Sequence, residues 1–245
     1  MTAIPISDPS PKRTVFFQDL GFRPYAPVWD LQKKLQQELI DRKISREMSV
    51  QRNDAALGGY LLFVEHPHVY TLGKSGSPHH LLASPDFLAQ IQAEFVPIDR
   101  GGDITYHGPG QLVGYPILDL DLFFTDIGRY LRTLEEAVIR LLAGFGIEAG
   151  REAGYTGVWV NGAKICAMGL KCSRWVTMHG FALNVNTDLS YFSHIVPCGI
   201  ADKPVTSMQN LLGHVVDPQQ VKHQMRAQIS QLFGIRLQDG LPVQV

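Results

Sequence analysis

Two residues of this 245-residue chain pair a nucleophile with a tunable proton: Cys198 and Lys164. Cys198 stands in Pro197-Cys198-Gly199, between a residue of fixed φ and one free to take φ > 0. That setting places a thiol on a tight, exposed turn. Lys164 sits in Gly162-Ala163-Lys164-Ile165-Cys166-Ala167-Met168-Gly169, a mostly apolar run. A desolvated lysine loses part of its preference for charge and exchanges protons near neutral pH. A thiol and such an amine are the minimum apparatus for covalent acyl transfer. Cys166 is a rival nucleophile, because strand alternation puts it on the face of Lys164. Against it, a strand-interior cysteine is more often a small core hydrophobe, and reactive thiols are the accessible ones.

A second cluster is Arg100-Gly101-Gly102-Asp103-Ile104-Thr105-Tyr106-His107-Gly108-Pro109-Gly110-Gln111. Four glycines let backbone approach a ligand and present its N–H groups. Arg100, Tyr106 and His107 among them favour a binding loop over a plain glycine-rich hairpin. The spacing is not that of a nucleotide P-loop, and no G-x-G-x-x-G opens a helix here. His66 and His68, with His79 and His80 further on, raise a metal site. No cysteine or carboxylate completes a ligand set, so none is expected. His179 is either a packed sheet histidine or a proton handler.

These side chains need a scaffold, and composition bounds it. Hydrophobic residues are 45% and charged residues 18%, with a formal net charge of −1. Those are ordinary values for a globular chain with a sizeable core. They give no general electrostatic reason to bind nucleic acid or an acidic membrane. No apolar run approaches the ~18 residues of a membrane helix. Three cysteines, odd in number and without C-x-x-C spacing, argue against a disulfide framework and fit a reducing, cytoplasmic setting. The opening MTAIPISDPSPK lacks the pattern of a secretion signal and reads, to residue 13, as a disordered tail.

Strands are predicted over residues 14–20, 60–64, 94–98 and 112–120. Helices are predicted over 26–48, where Trp29, Leu31, Leu35, Leu39 and Ile40 recur, and over 126–145, read as core and nothing more. Residues 84–86, Ser-Pro-Asp, cap a short helix, and Asp217-Pro218 opens a last one to about Phe233. Residues 157–160 and 164–170 form a hairpin through Asn161-Gly162, and residues 177–185 add a third antiparallel strand. No linker divides residues 14–245. The expectation is one α+β domain, a mixed and largely antiparallel sheet flanked by helices.

Four motifs in this order resemble the lipoyl(octanoyl) transferase family: residues 100–111, Lys164-Ile165-x-Ala167-x-Gly169, Met178-His179-Gly180-Phe181-Ala182-Leu183-Asn184, and Val196-Pro197-Cys198-Gly199-Ile200. The resemblance runs from about Thr14 to Phe233. It implies the catalytic-domain fold shared with biotin and lipoate protein ligases. It also implies octanoyl transfer from acyl carrier protein to the lysine of apo lipoyl domains, those of 2-oxoacid dehydrogenase complexes and the glycine-cleavage H protein. No cofactor, ATP or metal is then required. By the resemblance Cys198 is the thioester nucleophile and Lys164 tunes it. Substrate would be bound by Arg100, Gly101, Gly102, Asp103, Ile104, Thr105, Tyr106 and His107, by Ala167, Met168 and Gly169, and by Gly180, Phe181 and Ala182. Tyr106, Met168 and Phe181 are expected to wall the octanoyl slot. Cys166, Cys172 and Pro204 depart from the family pattern. Three rivals remain: an ATP-dependent lipoate or biotin ligase on the same fold, a cysteine hydrolase using His179 or His107, and a silent acyl-binding scaffold.

Overall fold

A computed structural model describes residues 13–48, 57–196 and 204–242. Cys198 and its turn lie outside the described residues. So does the expected tail, except Arg13, which opens a strand.

The larger sheet has seven strands in the order β10-β1-β2-β6-β9-β8-β7. They are β1 (Arg13–Phe22), β2 (Gly59–Glu65), β6 (Gln111–Leu118), β7 (Val158–Val160), β8 (Ala163–Ser173), β9 (Val176–Asn184) and β10 (Ile235–Asp239). β1 runs parallel to β2 and β10, and the other pairings are antiparallel. Both faces are covered, and β2 shows how. Leu61 and Phe63 join one apolar cluster while Tyr60, Leu62 and Val64 join the other, the period-2 alternation of a strand buried on both sides. The first face carries α3 (Ile127–Gly144) and α5 (Pro218–Phe233), which contribute Leu134, Val138, Leu141, Val221, Met225 and Ile229. The second carries α1 (Tyr25–Met48), with Val28, Leu35, Leu39 and Ile40.

The buried stripe of α1 differs from the apolar one. It runs Tyr25, Val28, Gln32, Leu35, Gln36, Leu39, Ile40 and Lys43, while Trp29 and Leu31 are only partly buried. The polar members each satisfy backbone that the sheet leaves open. Gln32 accepts from His179 N (3.0 Å), Gln36 donates to the Val176 carbonyl (2.9 Å), and Lys43 donates to the Arg174 carbonyl (2.7 Å). Buried polar groups persist where they find such partners.

A second, three-stranded sheet has the order β4-β3-β5, from β3 (Val69–Leu72), β4 (Glu94–Pro97) and β5 (Ile104–His107). β3 was not expected from sequence, since it is four residues long and follows directly on the proline and histidine cluster. α2 (Pro85–Gln90) is capped by Ser84 as predicted, and a short α4 (Met208–Leu212) is an addition. The β7–β8 turn has φ +49° at Asn161 and +78° at Gly162, the hairpin geometry that dipeptide favours. The β8–β9 turn uses the same left-handed region at Arg174 (+49°) and Trp175 (+62°). Neither residue signals it, and β8 accordingly runs to Ser173, past the predicted end.

Candidate active site

The first glycine-rich segment forms a loop clamped between the two sheets. The Arg100 guanidinium is buried and donates to the carbonyls of Thr71 (2.7 Å), Asp103 (2.7 Å) and Gly101 (3.2 Å) and to Thr71 Oγ1 (3.0 Å). Loop carbonyls also accept from the backbone N–H groups of residues 73–75. Gly101 N donates to the Leu170 carbonyl on β8 (2.9 Å), and Ile104 N donates to Asp103 Oδ1 (2.6 Å). Arg100 therefore folds the loop, and two of the amides expected to face a ligand are spent internally. Bare backbone makes the fit possible. A Cβ on Gly180 would lie 2.3 Å from the Gly114 carbonyl oxygen, and one on Gly169 would lie 3.1 Å from Arg100 Cδ and the Gly101 carbonyl oxygen.

This loop, β8 and β9 enclose a cavity of about 660 Å³. Lys164, residues 100–105, His107, residues 167–169 and residues 180–182 all line it. Segments distant in sequence thus meet because β8 and β9 pair Gly169 with Gly180 and Met168 with Phe181. Tyr106 is the exception, and the expected octanoyl wall is corrected there. Its side chain packs instead in a cluster with Tyr70, Tyr191 and Phe192, ring centroids 5.1–5.4 Å away. Its hydroxyl and His68 Nδ1 share a hydrogen bond of 2.8 Å.

Several lining residues were not singled out from sequence. Ile127 and Leu131 make α3 more than core, because its first turns face the cavity; Tyr25, Tyr115 and Asn184 line it too. Asn184 belongs to a hydrogen-bond chain. His107 Nδ1–H donates to Gln111 Oε1 (2.8 Å), Gln111 Nε2 donates to Asn184 Oδ1 (2.9 Å), and Asn184 Nδ2 donates to the Thr206 carbonyl (3.0 Å). Buried amides amid apolar runs were the available sequence signal.

Lys164 is partly buried at the cavity wall. Its N–H donates to the Pro204 carbonyl (2.9 Å), and its carbonyl accepts from Thr206 N (3.0 Å). The chain resuming after residues 197–203 is therefore tied directly to Lys164. The chain entering that segment is tied to the binding loop: Val196 N donates to the His80 carbonyl (2.8 Å), and His80 Nδ1 donates to Asp103 Oδ2 (2.6 Å).

Cys166 separates from Lys164. The register steps from Val158↔Cys166 to Trp159↔Lys164, so β8 bulges at Ile165. Such an extra residue redirects side chains, and Cys166 ends in the core at 1% exposure. Burial pushes its thiol well above the usual range, the environment of an inert cysteine. Cys172 is half-buried, its thiol also raised by burial.

His107 and His179, both buried at the site, are neutral at pH 7. Burial brings His107 down to about 3, with both ring nitrogens engaged, by Gln111 and by Thr71 Oγ1 at 3.4 Å. His179, at φ +64°, lines the cavity. Burial lowers it to about 4 despite its 2.9 Å bond to Asp99. Burial alone would raise Asp99, but bonds from Lys171 and His179 outweigh it and hold the carboxyl at about 2. His179 therefore both packs and carries a hydrogen bond to a carboxylate.

The cavity has a lysine in its wall and the binding loop along its edge, and the chain belongs to the lipoyl protein ligase A/B catalytic domain family, matched over residues 24–230. Its relatives narrow this to an acyltransferase. It is 52% identical to an octanoyltransferase of Cytophaga hutchinsonii, over 93% of this chain and 96% of that one. It is 53% identical to one of Flavobacterium johnsoniae, over 90% and 97%. The fold is shared with a bi-partite lipoate protein ligase from Thermoplasma acidophilum (TM-score 0.70, 19% identity, covering 94% and 87%). It is also shared with a lipoate-protein ligase A bound with ATP (0.68, 17%, 94% and 90%). Among the described residues no helix is long and apolar enough to cross a membrane.

Proposed function

We propose that the chain transfers an octanoyl group from octanoyl–acyl carrier protein to the lysine of an apo lipoyl domain, of 2-oxoacid dehydrogenase complexes or the glycine-cleavage H protein, through a thioester on Cys198. This is the first step of lipoate assembly. One observation carries the reading. Lys164 and all three motif segments line a single cavity, in a chain half-identical over nearly its whole length to octanoyltransferases. Residues 14–245 act as one catalytic unit. The described cysteines are free thiols, in keeping with a cytoplasmic enzyme.

A free cysteine has a pKa of about 8.5, so its thiolate needs help at neutral pH. Lys164 accepts the Cys198 proton and, as a cation, balances the thiolate. The thiolate sulfur bonds to the thioester carbonyl carbon, the bond to the pantetheine sulfur breaks, and Lys164 returns the proton to that leaving sulfur. In the second half the neutral amine of the acceptor lysine bonds to the thioester carbon, the bond to the Cys198 sulfur breaks, and Lys164 takes the amine's proton and returns it to that sulfur. Amide formation from a thioester is downhill and needs no ATP. Met168, Phe181, Ile127 and Leu131 supply apolar wall for the eight-carbon chain. The buried, engaged His107 is a poor base, which speaks against hydrolysis.

Intact-protein mass spectrometry after mixing with octanoyl–acyl carrier protein, without ATP, tests this. The wild type should gain an octanoyl adduct that Cys198→Ala lacks and that an apo lipoyl domain discharges. No adduct without ATP, but acceptor modification with ATP and free octanoate, would make the chain a ligase. An adduct persisting in Cys198→Ala would move the nucleophile elsewhere.

A further inference from the structure

Lys164 has a neighbour that the motifs do not include. Its Nζ lies 4.8 Å from the centroid of the Trp159 ring, within cation–π range. Trp159 is 5% exposed and its place is over-determined. Its main chain exchanges two hydrogen bonds with Gly150 (2.8 and 2.9 Å), and the Tyr155 ring lies 5.7 Å away. Two residues upstream, Gly157 N donates to the fully buried Glu135 (3.0 Å). That carboxylate also receives Arg132 (2.6 Å) and Arg151 (2.9 Å). Since Pro204 and Thr206 fix the backbone of Lys164, both ends of the contact are anchored and only the four-carbon stem between them is adjustable.

We propose that Trp159 is a positioning residue for Lys164, its ring face holding the ammonium in the cavity wall. This rests on Lys164 acting as the proton partner of Cys198. The negative face of an indole attracts a cation, yet it offers no lone pair to take the proton and no net charge to repel a thiolate. A carboxylate in the same place would do both. When Lys164 gives up its proton the attraction ends, so the ring favours the cation only while there is one to hold. The bulge at Ile165 completes the arrangement, because it leaves Lys164 over the ring and sends Cys166 into the core.

The test replaces Trp159 site-specifically with tryptophans bearing one to four fluorines on the benzo ring, which nearly keep the shape while weakening the π-face. The readout is the single-turnover rate of thioester formation on Cys198 from octanoyl–acyl carrier protein. The rate should fall stepwise with fluorine count, to about tenfold across the series, with Trp159→Leu at least as slow. Thermal midpoints should stay constant through the fluorine series, and a Lys164→Ala background should abolish the trend. A flat series in an enzyme that Lys164→Ala inactivates overturns the role of Trp159 alone. Rates that fall only in step with thermal midpoints make the ring merely structural and also overturn it. A Lys164→Ala enzyme as fast as wild type overturns the underlying reading of Lys164.

Discussion

Acidification should destabilise this protein steeply between pH 7 and pH 5, well before its carboxylates protonate. His66, His107 and His179 are 0%, 7% and 2% exposed. Burial lowers them from an ordinary 6.5 to about 4, about 3 and about 4. Below pH 6.5 the unfolded chain takes up protons that the native state refuses until the pH approaches those lower values. Stability is therefore full above about 6.5 and is lost as the pH falls. From pH 7 to 5 each site contributes about 2 kcal/mol, and the three together about 6 kcal/mol. That is a large share of the ~5–15 kcal/mol by which domains are stable. Asp99, held at about 2, does not enter this window, because its contribution is lost only below its unfolded value near 3.8. Urea unfolding monitored by circular dichroism at the two pH values, on wild type and His66→Gln, is the assay. His66 receives the Tyr115 hydroxyl at 2.9 Å and donates to the Arg23 carbonyl at 2.7 Å, so the variant should be weaker at pH 7 but lose less on acidification. A wild-type difference under about 1 kcal/mol, or an undiminished pH slope in His66→Gln, would refute the assignment of these rings as buried and neutral.

Two further outcomes follow from packing. Gly180→Ala should cost at least about 1–3 kcal/mol, since its methyl would meet the Gly114 carbonyl oxygen at 2.3 Å, whereas Gly101→Ala meets only the Leu170 carbonyl oxygen at 3.4 Å and should fold normally; thermal melts of the two variants decide it. Glu135→Ala orphans the buried Gly157 N–H and removes one partner each from Arg132 and Arg151, the latter keeping Glu136. Both arginines reach solvent, so a loss of about 2–3 kcal/mol is expected, with Glu135→Gln milder in chemical denaturation because its carbonyl can still accept from Gly157.

The chain carries much of this architecture on its face. The apolar run of β2, the period of α3, the Asp217-Pro218 start and the Asn161-Gly162 turn are local instructions, and each is obeyed where it was read. Motif residues were legible too, because the glycines at 169 and 180 stand where a side chain would crowd its neighbours and Gly102 takes a positive φ. Three things had no local signal. The β8–β9 turn forms at Arg174 and Trp175, residues that ordinarily avoid positive φ, since Lys43 of α1 reaches the Arg174 carbonyl from 131 positions away. The bulge at Ile165 breaks the alternation that put Cys166 beside Lys164, and only the register with β7 reveals it. Tyr106 and Arg100 look like ligand contacts by type, yet one packs among aromatics and the other binds carbonyls of its own loop and of Thr71. Sequence determined which residues are candidates for the chemistry and most of the elements they ride on. Tertiary structure decided which way each side chain points, because that depends on long-range pairing and on the polar groups that packing must satisfy.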